Sequence, residues 1–267
     1  MSVALAFLKR DFSQALSYRL SFLLQIGGIF FSVAIFYFLS ELFGSAIAPQ
    51  LEIYGGNYFS FVLIGLAFTG FLGLSLSSFA ASIREGQIMG TLEIMLLSPT
   101  RLSVILLSSS VWSYLLTTLR VVLYLVVGAF VFGADLGNAN IGGALLVMLL
   151  SIASFTGIGV LSAALVLIVK KGDPVALILN GASSLLAGVF YPVEVLPNWL
   201  EPISNVLPLT YALDAMRLAM LQGHSIYELR YDILILLAFT LVLTPISFLV
   251  FRRALKRAKR EGSLIQY

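Results

Sequence analysis

The sequence contains no cysteine, so neither a disulfide framework nor a thiolate metal site can be built from it. Its one histidine is His224, too little for histidine-based metal or acid–base chemistry. Charge is scarce as well: 11% of residues are charged, against roughly 25% in soluble globular proteins. No glycine is followed by lysine. A Gly-x-x-x-x-Gly-Lys-[Ser/Thr] loop is therefore missing, and with it a Walker A site for ATP. There is no His-Glu-x-x-His helix, no Gly-x-Ser-x-Gly elbow and no dinucleotide fingerprint after a strand. The first residues lack the short apolar core and small-residue cleavage site of a signal peptide.

What is abundant is apolar surface. Of 267 residues, 60% are hydrophobic, and the mean hydropathy is +1.02. A water-soluble domain of this size cannot hide so much; lipid is the expected solvent. The expected fold class is an all-α membrane protein forming one domain, residues 1–267, with six hydrophobic segments at 20–43, 58–82, 112–132, 144–169, 175–190 and 231–251. A crossing needs about 20 residues at about 1.5 Å each. The fifth segment, at roughly 24 Å, falls short of one. The third run, 102–132, is longer than one crossing. Trp112 and Tyr114 are placed to anchor at the interface, so 102–111 is expected to continue the helix outside the span. The second segment carries Gly65, Gly70, Gly73, Ser75, Ser77 and Ser78, small residues that allow close helix approach.

Polar residues inside these segments are few. Gln25 lies in the first and Arg120 in the third. An intramembrane charge is costly and faces a bundle interior or watery cavity. Two readings fit Arg120: a cavity-lining or helix-locking residue, or one that snorkels to an interface. Intramembrane carboxylates of the kind that ion-coupled carriers use are missing, Glu41 lying at a segment end. No internal repeat is visible.

At the start, residues 1–19 set Leu5, Leu8, Phe12 and Leu16 on one helical side and Arg10, Gln14 and Ser17 on another. They form an interfacial amphipathic helix or the polar flank of the first span. Region 191–230 mixes Tyr191, Pro192, Glu194, Pro197, Trp199, Pro202, Pro208, Asp214 and Arg217. Short amphipathic pieces beside a short span form re-entrant helices, tolerated where protein or water covers them, or surface helices of an external loop. Cations fix the orientation. Lys9, Arg10, Arg19, Arg84, Arg101, Lys170, Lys171, Arg252, Arg253, Lys256, Arg257, Lys259 and Arg260 fall on one side, Arg217 and Arg230 on the other. The positive-inside rule then puts both termini and residues 83–99 in the cytoplasm.

Residues 84–99 are where charge and amphipathicity interrupt the apolar first half. Gly90-Thr91-Leu92-Glu93-Ile94-Met95-Leu96-Leu97-Ser98-Pro99 resembles the Gly-Thr-Leu-Glu-x-Leu-Leu-x-x-Pro signature of ABC-2 type permeases, the membrane subunits of type V ABC exporters. Met95 stands where leucine is usual. A second likeness runs from Phe190-Tyr191-Pro192 through Leu196-Pro197 and Leu207-Pro208-Leu209-Thr210-Tyr211 to Ala215-Met216-Arg217. There Leu207 replaces the usual asparagine. The likeness extends over the whole chain, including a short fifth helix.

The resemblance implies that 83–99 is a coupling helix seated in a cleft of a separate P-loop ATP-binding subunit, two copies per transporter. Glu85, Gly90, Thr91, Leu92, Glu93, Leu96, Leu97 and Pro99 would make that contact, apolar residues filling a groove and carboxylates pairing at its rim. Residues 1–19 would be the interface helix, and Tyr191, Pro192, Pro197, Pro208 and Arg217 would belong to an external gate. Six segments make half a pore, which implies a second permease chain, expected as a homodimer. This chain would bind no cofactor itself, ATP and magnesium being held by the partner. The setting would be the cytoplasmic membrane of a prokaryote, in contact with lipid and without nucleic acid. Phe7-Leu8-Lys9-Arg10-Asp11 and Tyr18-Arg19-Leu20-Ser21-Phe22 look more like the drug- and lipid-export branch than the O-antigen branch. The competing function is a stand-alone secondary carrier or channel. A membrane-embedded enzyme lacks any convergent histidine or carboxylate cluster.

Overall fold

The computed structural model describes Lys9, Phe12, 19–88, Gly90, 102–169 and 173–260. Among the described residues there is no strand. Among these residues eight helices follow one another: α1 Arg19–Ile47, α2 Tyr58–Ile88, α3 Leu102–Phe130, α4 Ile141–Val169, α5 Asp173–Leu186, α6 Glu201–Ser204, α7 Pro208–Leu221 and α8 Arg230–Arg260. Short 3-10 turns lie at Ala48–Tyr54 and Val193–Val195. Long apolar runs adopt helix because a helix satisfies its own backbone polar groups where no water can.

Five of these helices are long and apolar enough to cross a membrane, with apolar stretches at Leu23–Gly44, Tyr58–Glu85, Leu107–Phe130, Ile141–Ile168 and Arg230–Ala258. The sixth expected segment is α5. Its 14 residues span about 21 Å, and it ends at Leu186, before the left-handed Gly188 at φ 76°. The expected end at 190 was four residues late because Gly188 turns the chain first.

Other ends shift for local reasons. α2 does not stop at 82: it runs to Ile88, since Gly86 alone costs only about 1 kcal/mol in a helix. Gly90, exposed and at φ 66°, then turns the chain. α4 starts at Ile141 because Asn140 caps it, its Oδ1 accepting from Gly143 N at 3.0 Å. Residues 102–111 continue α3 without a break, as expected. α8 runs on through Pro245 to Arg260.

α2 is the hub. Of its apolar stretch 72% is buried, against 11% for α1, 17% for α3 and 11% for α8. Phe61, Phe71, Phe79, Leu63, Ile64, Leu76 and Ile83 of α2 are fully buried. α4 crosses α2 at Gly159, where an added Cβ would run into the Ser75 carbonyl oxygen; only glycine allows this backbone approach. Ser75 Oγ also meets Tyr114 Oη of α3 at 2.6 Å, and Tyr114 Oη meets Thr156 Oγ1 of α4 at 3.3 Å. Hydroxyls thus tie three helices where no water competes.

Candidate functional site

Two constellations collect the residues singled out from sequence. The first surrounds α7. Leu207 is extended (φ −93°, ψ 122°), and Pro208 opens the helix in the first turn, where its missing N–H costs nothing. Thr210 Oγ1 donates back to Ser204 O at 2.8 Å, and Tyr211 Oη to Asn205 O at 3.0 Å. These bonds fold α6 against the start of α7. Tyr191 Oη donates to Leu185 O at 2.6 Å, closing the turn after α5. Pro192 precedes the Val193–Val195 turn, and the Pro197 carbonyl accepts from Leu200 N at 2.8 Å.

Beneath this layer α7 buries Leu209, Ala212, Leu213, Ala215, Met216, Ala219 and Met220. Arg217 lies on the same buried surface with 3% exposure. Its Nε donates to Phe61 O at 3.2 Å and its Nη2 to Val189 O at 3.0 Å. The guanidinium carbon stands 3.4 Å from the Phe61 ring centroid, a cation–π contact. Gly65 of α2 makes the room: a Cβ there would meet both the Val189 carbonyl and the Arg217 guanidinium. One turn before Arg217, Asp214 Oδ1 accepts a 2.7 Å hydrogen bond from Tyr54 Oη. Tyr54 ends the Ala48–Tyr54 turn between α1 and α2.

Electrostatics follow burial. Desolvation holds the Asp214 carboxyl above its ordinary value, against the pull of the Tyr54 hydroxyl and the Arg217 charge. Burial brings Arg217 down to about 10, so it stays protonated at neutral pH. The Tyr54 hydroxyl is pushed far up, by burial first and by the Asp214 carboxylate second; it remains a donor. A cation with two carbonyl acceptors and a ring face, beside a carboxylate with a phenol donor, pins α7 to α2 and to both turns.

The second constellation is the pair Gln25 and Arg120. Arg120 Nε donates to Gln25 Oε1 at 3.1 Å, joining α3 to α1. They line a cleft of about 320 Å³ between α1, α2 and α3.

Of the coupling residues, Glu85 is exposed near the end of α2 and Gly90 is exposed at the turn. Thr91, Leu92, Glu93, Leu96, Leu97 and Pro99 lie outside the described residues, as do all but Lys9, Phe12 and Arg19 of the expected interface helix at 1–19. Sequence reasoning missed Tyr54 and Asp214 as partners. The available signal was Asp214 three residues before Arg217 on an otherwise apolar helical face.

Comparison with known families decides the class. The family model for the ABC-2 type transporter matches residues 4–221. The chain belongs to the ABC-2 type transporter family. ABC transporter G family member 20 of Dictyostelium discoideum is 32% identical over 80 residues, covering 30% of this chain and 10% of that protein. The chain thus spans about a tenth of that relative's length. With five of the described helices able to cross a bilayer, this ABC-2 chain is an integral membrane protein and a membrane component of an ABC transporter.

Proposed function

We propose that the chain is the permease subunit of an ATP-driven exporter. It moves a hydrophobic or amphipathic substrate, such as a drug, a lipid or a lipid-linked glycan, out across the cytoplasmic membrane of a prokaryote. The observation that carries this reading is the family match over residues 4–221. Two features support it. No Walker A loop lies within these 267 residues, and in this reading hydrolysis belongs to a P-loop ATP-binding subunit holding ATP and magnesium, two copies per transporter. α2 is one unbroken helix leading from Phe61, where Arg217 is held, to the stretch 83–99. That stretch is the coupling segment, with Glu93 at the rim of the partner's groove and Leu92, Leu96 and Leu97 inside it.

In this reading both termini are cytoplasmic, a second permease chain completes the pore as a homodimer, and region 191–230 is the external gate. Val195, Trp199, Ile203 and Val206 are exposed there. A re-entrant placement in the outer leaflet would cover those apolar side chains.

The test is reconstitution in vesicles. The chain alone hydrolyses no ATP; with its P-loop partner it couples hydrolysis to export. Glu93→Lys and Leu96→Ala each lower export per ATP several-fold while the complex still assembles. Undiminished coupling in both variants would remove the docking assignment. Gradient-driven transport by the chain alone, without nucleotide, would replace the exporter by a stand-alone carrier.

A further inference from the structure

The geometry points to a binding site for the acidic headgroup of a membrane amphiphile in the cleft between α1, α2 and α3, with Arg120 as the recognising charge. The inference rests on the membrane placement of these three helices and not on ATP-driven export.

Arg120 lies 13 residues after Leu107 and 10 before Phe130, the ends of the apolar stretch of α3. That is roughly 20 Å from one end and 15 Å from the other. A helical side chain leans toward the helix N-terminus, and the contact that Arg120 makes agrees. Its Nε is bonded to Gln25, two residues inside the apolar stretch of α1, which begins at Leu23. α1 and α3, separated by the antiparallel α2, run in the same direction. The guanidinium is therefore drawn toward the membrane boundary on the side of the α1 N-terminus. The cleft descends from that boundary to Leu66 and Gly70 of α2, near the middle of its apolar stretch Tyr58–Glu85.

The charge is not consumed among the described residues. Among the described residues, Arg120 has one acceptor, Gln25 Oε1, and no carboxylate faces it. Both Nη nitrogens remain, and the residue is exposed. Donors left so in an apolar region demand a counter-charge or water. A guanidinium fork fits a phosphate or carboxylate with two oxygens. The neighbouring side chains suit an amphiphile: Thr117 adds a hydroxyl, while Leu66 and Ile29 supply apolar wall. The flank of α1 beside Gly28, with exposed Leu24 and Phe31, offers lipid-like surface for an acyl chain. An acid carried on an amphiphile sets its headgroup at Arg120 while its acyl chain lies along the exposed apolar face of α1, so the acid arrives on an amphiphile, either a resident phospholipid or the transported molecule.

The experiment uses the full chain, with its ATPase partner, in phosphatidylcholine vesicles. The probes are trace phosphatidylglycerol and phosphatidylcholine carrying the same photoreactive group close to the headgroup. Labelled α1 and α3 peptides are quantified by mass spectrometry. Wild type is expected to label about tenfold more with phosphatidylglycerol, the ratio that one charge-assisted pair supports. Arg120→Gln brings the two probes level. Gly70→Leu also lowers labelling by filling the cleft, since a Cβ at Gly70 meets only Thr117 Cγ2, at an ordinary 3.6 Å. Equal labelling by both probes in wild type overturns the site, whatever the variants do. Competition by unlabelled phosphatidylglycerol with ATP turnover unchanged identifies a resident lipid. Competition with stimulated turnover, lost in Arg120→Gln, identifies a substrate. Both outcomes uphold an anion site, and ATP turnover in wild type reports separately on the exporter reading.

Discussion

Arg217 and Arg120 are both embedded in apolar helices, yet the protein treats them oppositely. Arg217 is enclosed: two carbonyls, a phenyl face and a neighbouring carboxylate surround it. Arg120 is half-served by one amide and left facing a cleft. A buried charge held by partners inside the chain acts as a structural pin, because removing it strands several buried groups. A charge with donors to spare is available to something that comes and goes. The difference teaches that burial and partners, not position in a hydrophobic run, separate the two roles.

The largest effect is expected at Arg217. Arg217→Met should destabilise the chain by about 3 kcal/mol or more, because the Phe61 and Val189 carbonyls lose their donor and Asp214 loses its cation. Thermal unfolding in detergent measures this, and Arg217→Lys should recover only part, lacking the fork. A wild-type melting curve for Arg217→Met would erase the distinction between the two arginines. Next in size, Gly65→Ala should cost about 2 kcal/mol, since its Cβ meets the Val189 carbonyl and the guanidinium; the same melt reads it.

Tyr54→Phe should cost roughly 1–2 kcal/mol at neutral pH by leaving Asp214 without its donor. Its pH dependence carries a sign. The folded-state carboxyl of Asp214 lies above its ordinary 3.8, so this group favours folding when protonated, and that contribution fades as pH rises through the raised value. The Tyr54 hydroxyl supports the ionised form. The Tyr54→Phe penalty should therefore be small in acid and grow with pH, and Asp214→Asn should flatten the profile. Melting curves taken from acid to neutral pH decide it. Smallest of all, Arg120→Gln should change stability by less than about 1 kcal/mol, an exposed hydrogen bond being all that is lost. A large destabilisation there would make Arg120 a second pin and sharpen the contrast out of existence.

Much of this was legible in the chain itself. Hydropathy marked every long helix, and the shortness of the fifth segment followed from residue count alone. Gln25 and Arg120 stood out as the polar interruptions, and they do meet. Arg217 was recognisable through its place after Pro208 and Tyr211. Its partners were not, because they are backbone carbonyls of Phe61 and Val189, and every residue has one. The Tyr54–Asp214 bond joins residues 160 positions apart, a pairing that no local pattern encodes. Helix ends were misplaced where a single residue decides them, as at Asn140 and Gly188.

The continuity of α2 has a mechanical meaning. Phe61 and Glu85 are 24 residues apart on one continuous helix, about 36 Å along its axis. The far end near Phe61 is clamped by Arg217, and the α4 crossing at Gly159 forms a tight pivot between the ends. With the helix stiff, a tilt of about 5° across that length displaces one end by about 3 Å relative to the other. Force applied at Glu85 would thus arrive at the Arg217 clamp as leverage, in the time the rod takes to rock, without any residue between them changing its conformation.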